Sequence, residues 1–281
     1  MPDLDLKQPA QPADLSSQLT NLEHNNYDDM WVGLRATRVW GTLGWHDIKQ
    51  RYRRSSIGPF WFTLSTAIMA TVLGFLYSSL FNADIATFLP YVATGLVIWQ
   101  YIGAVMTEGC NVYMTSGYLI KQVRLPLTVH VTRMVWRNFV IFFHSLPVVL
   151  LMLIALKHWP GVEGFLAIPA ILALPLHGVW IATVIGILCA RFRDIPPIIT
   201  NLVQVSFFFT PIFWMPEVLT DRAWLVEFNP FYHVIELIRA PLLGRPLHPE
   251  SWIWSLGMMA AGYLLAWRLM YKYRDRVPYW L

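Results

Sequence analysis

Charge is what this sequence has least of. Only 14% of its 281 residues are Asp, Glu, Lys or Arg, and the stretch from Ser55 to Ala83 contains none of them. With 56% apolar residues, a water-soluble fold would have too little polar surface to cover its core, so a polytopic membrane protein is the natural class. Cysteine is scarcer still. Cys110 and Cys189 imply no disulfide framework and read as small buried residues near the ends of spans. No Walker-type glycine-rich loop occurs, which excludes nucleotide binding by that route, and HExxH, paired CxxC and GxSxG are missing too. The segment Met1 to Asn26 is polar and lacks the apolar core of a cleavable signal, so it reads as a loose tail. The net charge of +4 is small and its cations sit beside apolar runs, a pattern that suits membrane orientation and not nucleic-acid binding.

What is present is organised around one junction. In Ile48–Trp61, reading IKQRYRRSSIGPFW, four cations (Lys49, Arg51, Arg53, Arg54) abut the charge-free stretch. A basic cluster against an apolar run of that length marks where a chain enters a bilayer with its cations held in the cytoplasm. Six charge-poor runs follow, near Pro59–Phe81, Phe88–Thr107, Asn138–Leu156, Phe165–Ala190, Ile195–Met215 and Trp252–Trp267. They are continuously apolar and do not alternate, which argues for helices over barrel strands. Every second loop is basic: Lys121, Arg124, Arg133 and Arg137 in the second, Arg191 and Arg193 in the fourth, Arg268, Lys272, Arg274 and Arg276 in the tail. The first loop has no Lys or Arg and the third only Lys157, so both termini are expected in the cytoplasm.

The predicted fold is all-α and polytopic, with six transmembrane helices. The expected layout is a flexible tail over 1–27, an amphipathic and basic segment over 28–54, a six-span domain over 55–267 and a basic C-terminus over 268–281. Asp28 and Asp29 are positioned to cap the amphipathic helix, with Val32, Ala36, Val39, Trp40 and Leu43 on one face. That face suits either the membrane interface or another protein. Phe231–Leu243 is apolar but interrupted by Glu236, Arg239 and Pro241. It reads as a re-entrant or surface-lying outer helix, or as an ordinary outer loop.

No catalytic constellation stands out. Glu108 ends the second span, and His144 and His177 lie within spans, where an ionisable residue is either functional or satisfied by a neighbouring helix. No mid-depth acid relay of a proton-coupled transporter is evident, so the energy is expected from another polypeptide. Aromatics are abundant. Tyr91, Trp99 and Tyr101 in the second span, and Phe207, Phe208, Phe209, Phe213 and Trp214 in the fifth, are candidates to line a path for a sugar chain, or to face lipid.

Several segments together resemble the membrane subunits of polysaccharide ABC exporters, the O-antigen, capsule and teichoic acid class. These are DIKQRYRRSSIGPFW before the first span, GYLIKQVRLPLTVHVTR in the second loop, ARFRDIPPIITNLVQVSFFFTPIFW through the fifth span, FNPFYHVIELIRAPLLG beyond it and the tail YRDRVPYWL. The O-antigen branch is the nearest match in kind. The resemblance implies a homodimeric permease in the bacterial inner membrane, moving a lipid-linked polysaccharide, with no cofactor of its own. ATP and magnesium would be bound by a separate ABC ATPase subunit. It also implies a coupling segment within about 110–137, where Leu119, Ile120, Lys121, Val123 and Arg124 would dock the ATPase, and an outer segment over about 216–251. Arg51, Arg53 and Arg54 stand where a lipid phosphate would arrive, although anchoring alone also accounts for them. The alternatives are an integral membrane transferase acting on lipid-linked sugars, and a drug or lipid exporter on the same scaffold. Against the first, Asp84, Glu163, Glu217, Asp221, Glu227 and Glu236 are scattered over outer loops and suggest no acid–base pair.

Overall fold

A computed structural model describes residues 29–53, 58, 60–123, 125–157, 160–219, 222, 224–246 and 248–281. Among these, every regular element is a helix. Two helices, α1 (Asp29–Arg35) and α2 (Thr37–Tyr52), precede the first span, α3 (Phe60–Phe81). Next come α4 (Ile85–Cys110), two short pieces α5 (Val112–Thr115) and α6 (Gly117–Gln122), and the long α7 (Leu127–Ala155). A 3-10 turn at Val162–Leu166 leads into α8 (Ala167–Arg191), followed by α9 (Ile195–Phe209). Beyond it lie α10 (Trp224–Glu227), α11 (Pro230–Leu242), α12 (Pro249–Tyr273) and α13 (Val277–Trp280). The all-helical polytopic fold expected from composition is the one observed. Helices α3, α4, α7, α8 and α12 are long and apolar enough to cross a membrane, and α9 is a shorter apolar helix.

The core is built on α4. In its most apolar window 72% of residues are buried, against 22% for α3 and for α12, which flank the bundle. Small residues let the neighbours approach: a side chain on Gly109 would meet the backbone of Ala182, and one on Gly262 would collide with the Trp180 ring. Polar groups inside the bundle are satisfied between helices or along them. Trp180 donates to Nδ1 of His177 (3.2 Å), so Nε2 carries the proton and donates to the Ser255 hydroxyl (2.8 Å). His144 hydrogen-bonds the carbonyl of Val140 on its own helix (2.8 Å). Both histidines therefore take the structural reading.

Two expectations are corrected. The fifth apolar run stops being helical at Phe209 and does not continue to Met215. Thr210 precedes Pro211 and takes an extended backbone (ψ 135°), as the residue before proline must where the ring would clash with a helical neighbour. The 15-residue helix is then about 22 Å long at about 1.5 Å per residue, short of a bilayer core. Second, Asp29 does not cap its own helix. Its carboxylate accepts hydrogen bonds from the backbone N–H of Leu127 (3.0 Å) and Thr128 (3.1 Å) and from the Thr128 hydroxyl (3.0 Å). It therefore caps α7, whose first N–H groups have no partner within the helix. Asp28 lies outside the described residues.

The amphipathic segment packs on the first half of α7. Val39, Gly44 and Ile48 are buried there, Gly44 fits against Trp136, and the Trp40 and Trp136 rings meet edge-on at 5.7 Å. Trp31 and Trp45 remain exposed.

Candidate functional site

The bundle has two chemically distinct ends. At the basic end, an ion-pair belt joins α2, α4 and α7. Arg133 grips Asp47 with Nε (2.7 Å) and with Nη2. One turn further along α7, Arg137 reaches Asp47 with Nη1 (3.3 Å) and Glu108 with Nη2 (2.5 Å), bridging the two carboxylates. Asn138 donates to the same Glu108 oxygen (2.7 Å) and Arg51 approaches the other (3.4 Å). The part of α7 ahead of Asn138 packs on α1 and α2, with Arg133 and Arg137 matched to Asp47 and Glu108.

Beside this belt is a cavity of about 650 Å³, walled by Asp47, Glu108, Arg133 and Arg137 and by the α5–α6 segment. His130 sits in its wall, almost wholly buried, and neither ring nitrogen has a hydrogen-bond partner. A second, smaller cavity of about 330 Å³ lies on the other side of Glu108, between α3, α4 and α7, with Arg51, Gln100 and Asn138 among its lining residues.

The α5–α6 segment is the turn between α4 and α7. Within it Tyr118 and Lys121 are exposed, Leu119, Ile120 and Val123 are half-buried, and Ile120 packs against the core. Gly117 rests on the C-terminal Leu281. Tyr113, just ahead, is fully buried, and burial, reinforced by the nearby Asp29 charge, pushes its phenol well above the ordinary value, so it stays a neutral hydroxyl. Arg53 is exposed at the end of α2, and Arg51 lies over the Phe62 ring (5.4 Å). Arg54 and Arg124 lie outside the described residues. Cys110 and Cys189 are both buried free thiols, and Cys110 donates to the Met106 carbonyl on its own helix (3.3 Å).

At the far end the chemistry is buried. Arg239 of α11 is fully enclosed, pairs with Glu236 through Nε (2.9 Å) and Nη2 (2.6 Å), and donates to the Pro211 carbonyl (2.7 Å). Its guanidinium lies 3.8 Å from the Tyr91 ring centre, with Arg245 at 5.0 Å from the same ring. The Tyr91 hydroxyl points at the Pro211 (3.1 Å) and Trp214 (3.2 Å) carbonyls. This knot has a physical reason. Past Phe209 the chain is irregular within an apolar bundle, and its freed carbonyls must find donors inside the protein. Asn229 completes it by capping α11 (Phe231 N–H at 3.0 Å) and donating to Thr210 (3.0 Å). Helix α11 therefore turns back into the bundle, where its residues from Ile235 to Leu242 are buried.

The eight candidate aromatics separate into groups. Tyr91, Trp99 and Tyr101 are buried, Trp99 against Phe207 and Phe231, Tyr101 against Phe139 and Phe142. Phe207, Phe213 and Trp214 are half-buried, while Phe208 and Phe209 are exposed. Among the described residues no group of His, Cys, Asp and Glu could hold a metal ion.

The sequence that forms these helices and the structured turn at the basic end matches known proteins. The profile described as ABC-2 type transporter matches residues 38–243. The chain belongs to this family. Among individual proteins it is similar to the O-antigen export system permease protein RfbA of Klebsiella pneumoniae, 22% identical over 191 residues, covering 67% of this chain and 74% of the relative. The RfbA permease of Myxococcus xanthus is 25% identical over 197 residues, 69% of this chain and 76% of the relative. The ABC-2 chain is thus a membrane subunit of a transporter rather than an enzyme. The ion-pair belt and the buried knot escape sequence reasoning. Of these only the i,i+3 spacing of Glu236 and Arg239 leaves a local signal.

Proposed function

We propose that this chain is the permease of an ATP-driven exporter that moves a lipid-linked polysaccharide, O-antigen-like, across the bacterial inner membrane as a homodimer. The observation that carries the reading is the α5–α6 turn at the basic end of an ABC-2 chain. It presents exposed Tyr118 and Lys121 on one side and packs half-buried Ile120 against the core on the other, a knob suited to a groove in a separate ATPase, which would hold the ATP and magnesium. The names of the RfbA relatives support the substrate class. By the positive-inside rule the basic end, with both termini, faces the cytoplasm and the 216–251 segment faces outward. The bare surface of α9 supports the homodimer. Helix α9 buries only Val203 within the chain and leaves Ile198, Leu202, Val205 and Phe208 bare. Exposed Phe208 and Phe209 would then stand near the sugar path, with Arg51 and Arg53 at the lipid-phosphate approach.

Deleting the gene is the direct test. Surface polysaccharide should be lost while its lipid-linked precursor accumulates inside. Loss of the precursor as well would place the chain in synthesis and favour the transferase reading. Proline in place of Ile120 should uncouple hydrolysis from export, and Phe208→Ala should slow export in an assembled complex. Normal export by either variant would remove the role given to that residue.

A further inference from the structure

One residue breaks the burial of α4. From Pro90 to Ile102 every residue is buried except Gln100, which is exposed. Its carboxamide oxygen accepts from the Thr66 hydroxyl (3.0 Å), and its amide nitrogen has no hydrogen-bond partner among the described residues. The neighbouring α9 repeats the pattern. Asn201 and Gln204 are exposed there, and neither carboxamide is hydrogen-bonded among the described residues.

Helix geometry brings these amides together. The two helices run in opposite directions, and a Cβ on Gly103 would touch the Val203 side chain at 3.5 Å, which fixes their register. Gln100 precedes Gly103 by one turn and Gln204 directly follows Val203, so both stand outward of that contact, by about 4.5 and about 1.5 Å at about 1.5 Å per residue. Gln204 is then about 13 Å beyond the start of α9 at Ile195, near the middle of a hydrocarbon core about 30 Å thick. The helical repeat puts Asn201, Gln204 and Phe208 on one side of α9 and Leu202 and Val205 on another. With Val203 against Gly103, the side carrying Gln204 turns to the same flank of the pair as Gln100.

Depth gives the amides their meaning. A carboxamide left unpaired in hydrocarbon is strongly unfavourable, so polar groups at that depth face protein or water. Neither α9 nor α3, on whose Thr66 the Gln100 oxygen rests, carries an Asp, Glu, Lys or Arg. The space over the amides is therefore polar but uncharged. Each carboxamide both donates and accepts, which matches hydroxyl groups and offers no fixed charge to arrest a moving chain.

We propose that Gln100, Asn201 and Gln204 line a water-filled path at mid-membrane and hydrogen-bond the hydroxyls of an uncharged sugar chain as it passes. The proposal deepens the exporter reading given above and rests on it.

The test uses the complex with its ATPase in lipid nanodiscs, in a Cys110→Ala/Cys189→Ala background. A charged, water-soluble thiosulfonate should label Gln100→Cys and Gln204→Cys at least tenfold faster than Val205→Cys on the other side of α9. Labelling at the two amide positions no faster than at Val205→Cys would seat them against lipid or protein and overturn the wet path. In cells, Gln100→Leu/Gln204→Leu should slow the appearance of surface polysaccharide at least tenfold at equal amounts of assembled complex, with the melting temperature equal or higher. Gln100→Ser/Gln204→Ser, which restores hydrogen-bonding groups, should export at least threefold faster than the leucine variant. Where the double leucine variant does not accumulate, Gln204→Leu alone is scored by the same measures. Export at the parent rate by the deciding leucine variant overturns the sugar contact. A lowered melting temperature together with loss of the dimer would mean that the amides pair across two copies, which overturns it as well. Restoration of surface polysaccharide by the unaltered chain in a deletion strain is scored separately. Failure there defeats the exporter reading, whereas success there with slow labelling or unchanged export defeats only this assignment.

Discussion

The two ends of the molecule use the same chemical pair, arginine with a carboxylate, for different purposes. At the far end Arg239 is 0% exposed and its partner Glu236 6%. At the basic end the corresponding values are 25% and 13% for Arg133 with Asp47, and 22% and 29% for Arg137 with Glu108. Removing two charges from water costs several kcal/mol each, and their attraction returns that only when further hydrogen bonds are satisfied. The far-end pair is tolerated because Arg239 also donates to the Pro211 carbonyl and lies on Tyr91, whose hydroxyl serves the same irregular segment. The basic-end belt is more exposed, and Arg133 and Arg137 each keep about a quarter of the side chain accessible. Burial, more than bond length, separates a structural bolt from an adjustable contact.

The largest effect should come from breaking the bolt. Arg239→Leu strands Glu236 in an apolar site and is expected to cost about 3–5 kcal/mol, seen as a large drop in detergent melting temperature or a failure to accumulate. Replacing both partners, Glu236→Leu with Arg239→Met, should recover most of that loss, because no charge is left unpaired and Tyr91 still serves the carbonyl. An Arg239→Leu single variant as stable as the parent would erase the distinction between the ends.

Asp29 comes next. It is buried at the basic end but makes three hydrogen bonds to the start of α7, so Asp29→Ala should cost about 2 kcal/mol. Asp29→Asn keeps an acceptor and should lose less than half as much. Asp47→Asn should weigh less again, about 1 kcal/mol, since Arg133 can turn to solvent and Arg137 retains Glu108. If Asp47→Asn matched the Arg239 single variant in thermal unfolding, the belt would be a core element and not an exposed contact.

What the sequence reveals and what it hides follow the same division. The spans are legible because a charge-free run of membrane length is rare in any setting but a bilayer. The end of α9 is legible in principle, for Thr210-Pro211 disfavours helix there, but apolarity continues through Trp214 and hides the break. Arg133 and Arg137 are readable as cations that orient the chain, and nothing local points to Asp47, which lies 86 and 90 residues away. Tyr91 stands out as an aromatic, yet only the fold brings it 120 residues along the chain to the Pro211 carbonyl. Periodicity and charge report on one helix at a time. Pairing across helices needs the packed structure, and here both ends of the bundle are made of such pairs.

Arg51 marks the weak limit of the comparison. Its approach to Glu108 is long, 3.4 Å, and its side chain is 40% exposed, so solvent screens most of the pairing. Arg51→Gln should therefore leave the melting temperature unmoved, the smallest stability effect in the series. Export should respond differently if the residue meets lipid phosphate. In that role the flat guanidinium offers two parallel donors to phosphate oxygens, which neither glutamine nor the single point charge of lysine reproduces. The expected order is parent above Arg51→Lys above Arg51→Gln in the rate of polysaccharide appearing at the surface, at equal amounts of assembled protein. Equal export by all three would return Arg51 to plain anchoring. A fall in stability alongside export would instead tie it to the belt, and the division between a rigid far end and an adjustable basic end would have to be redrawn at Glu108.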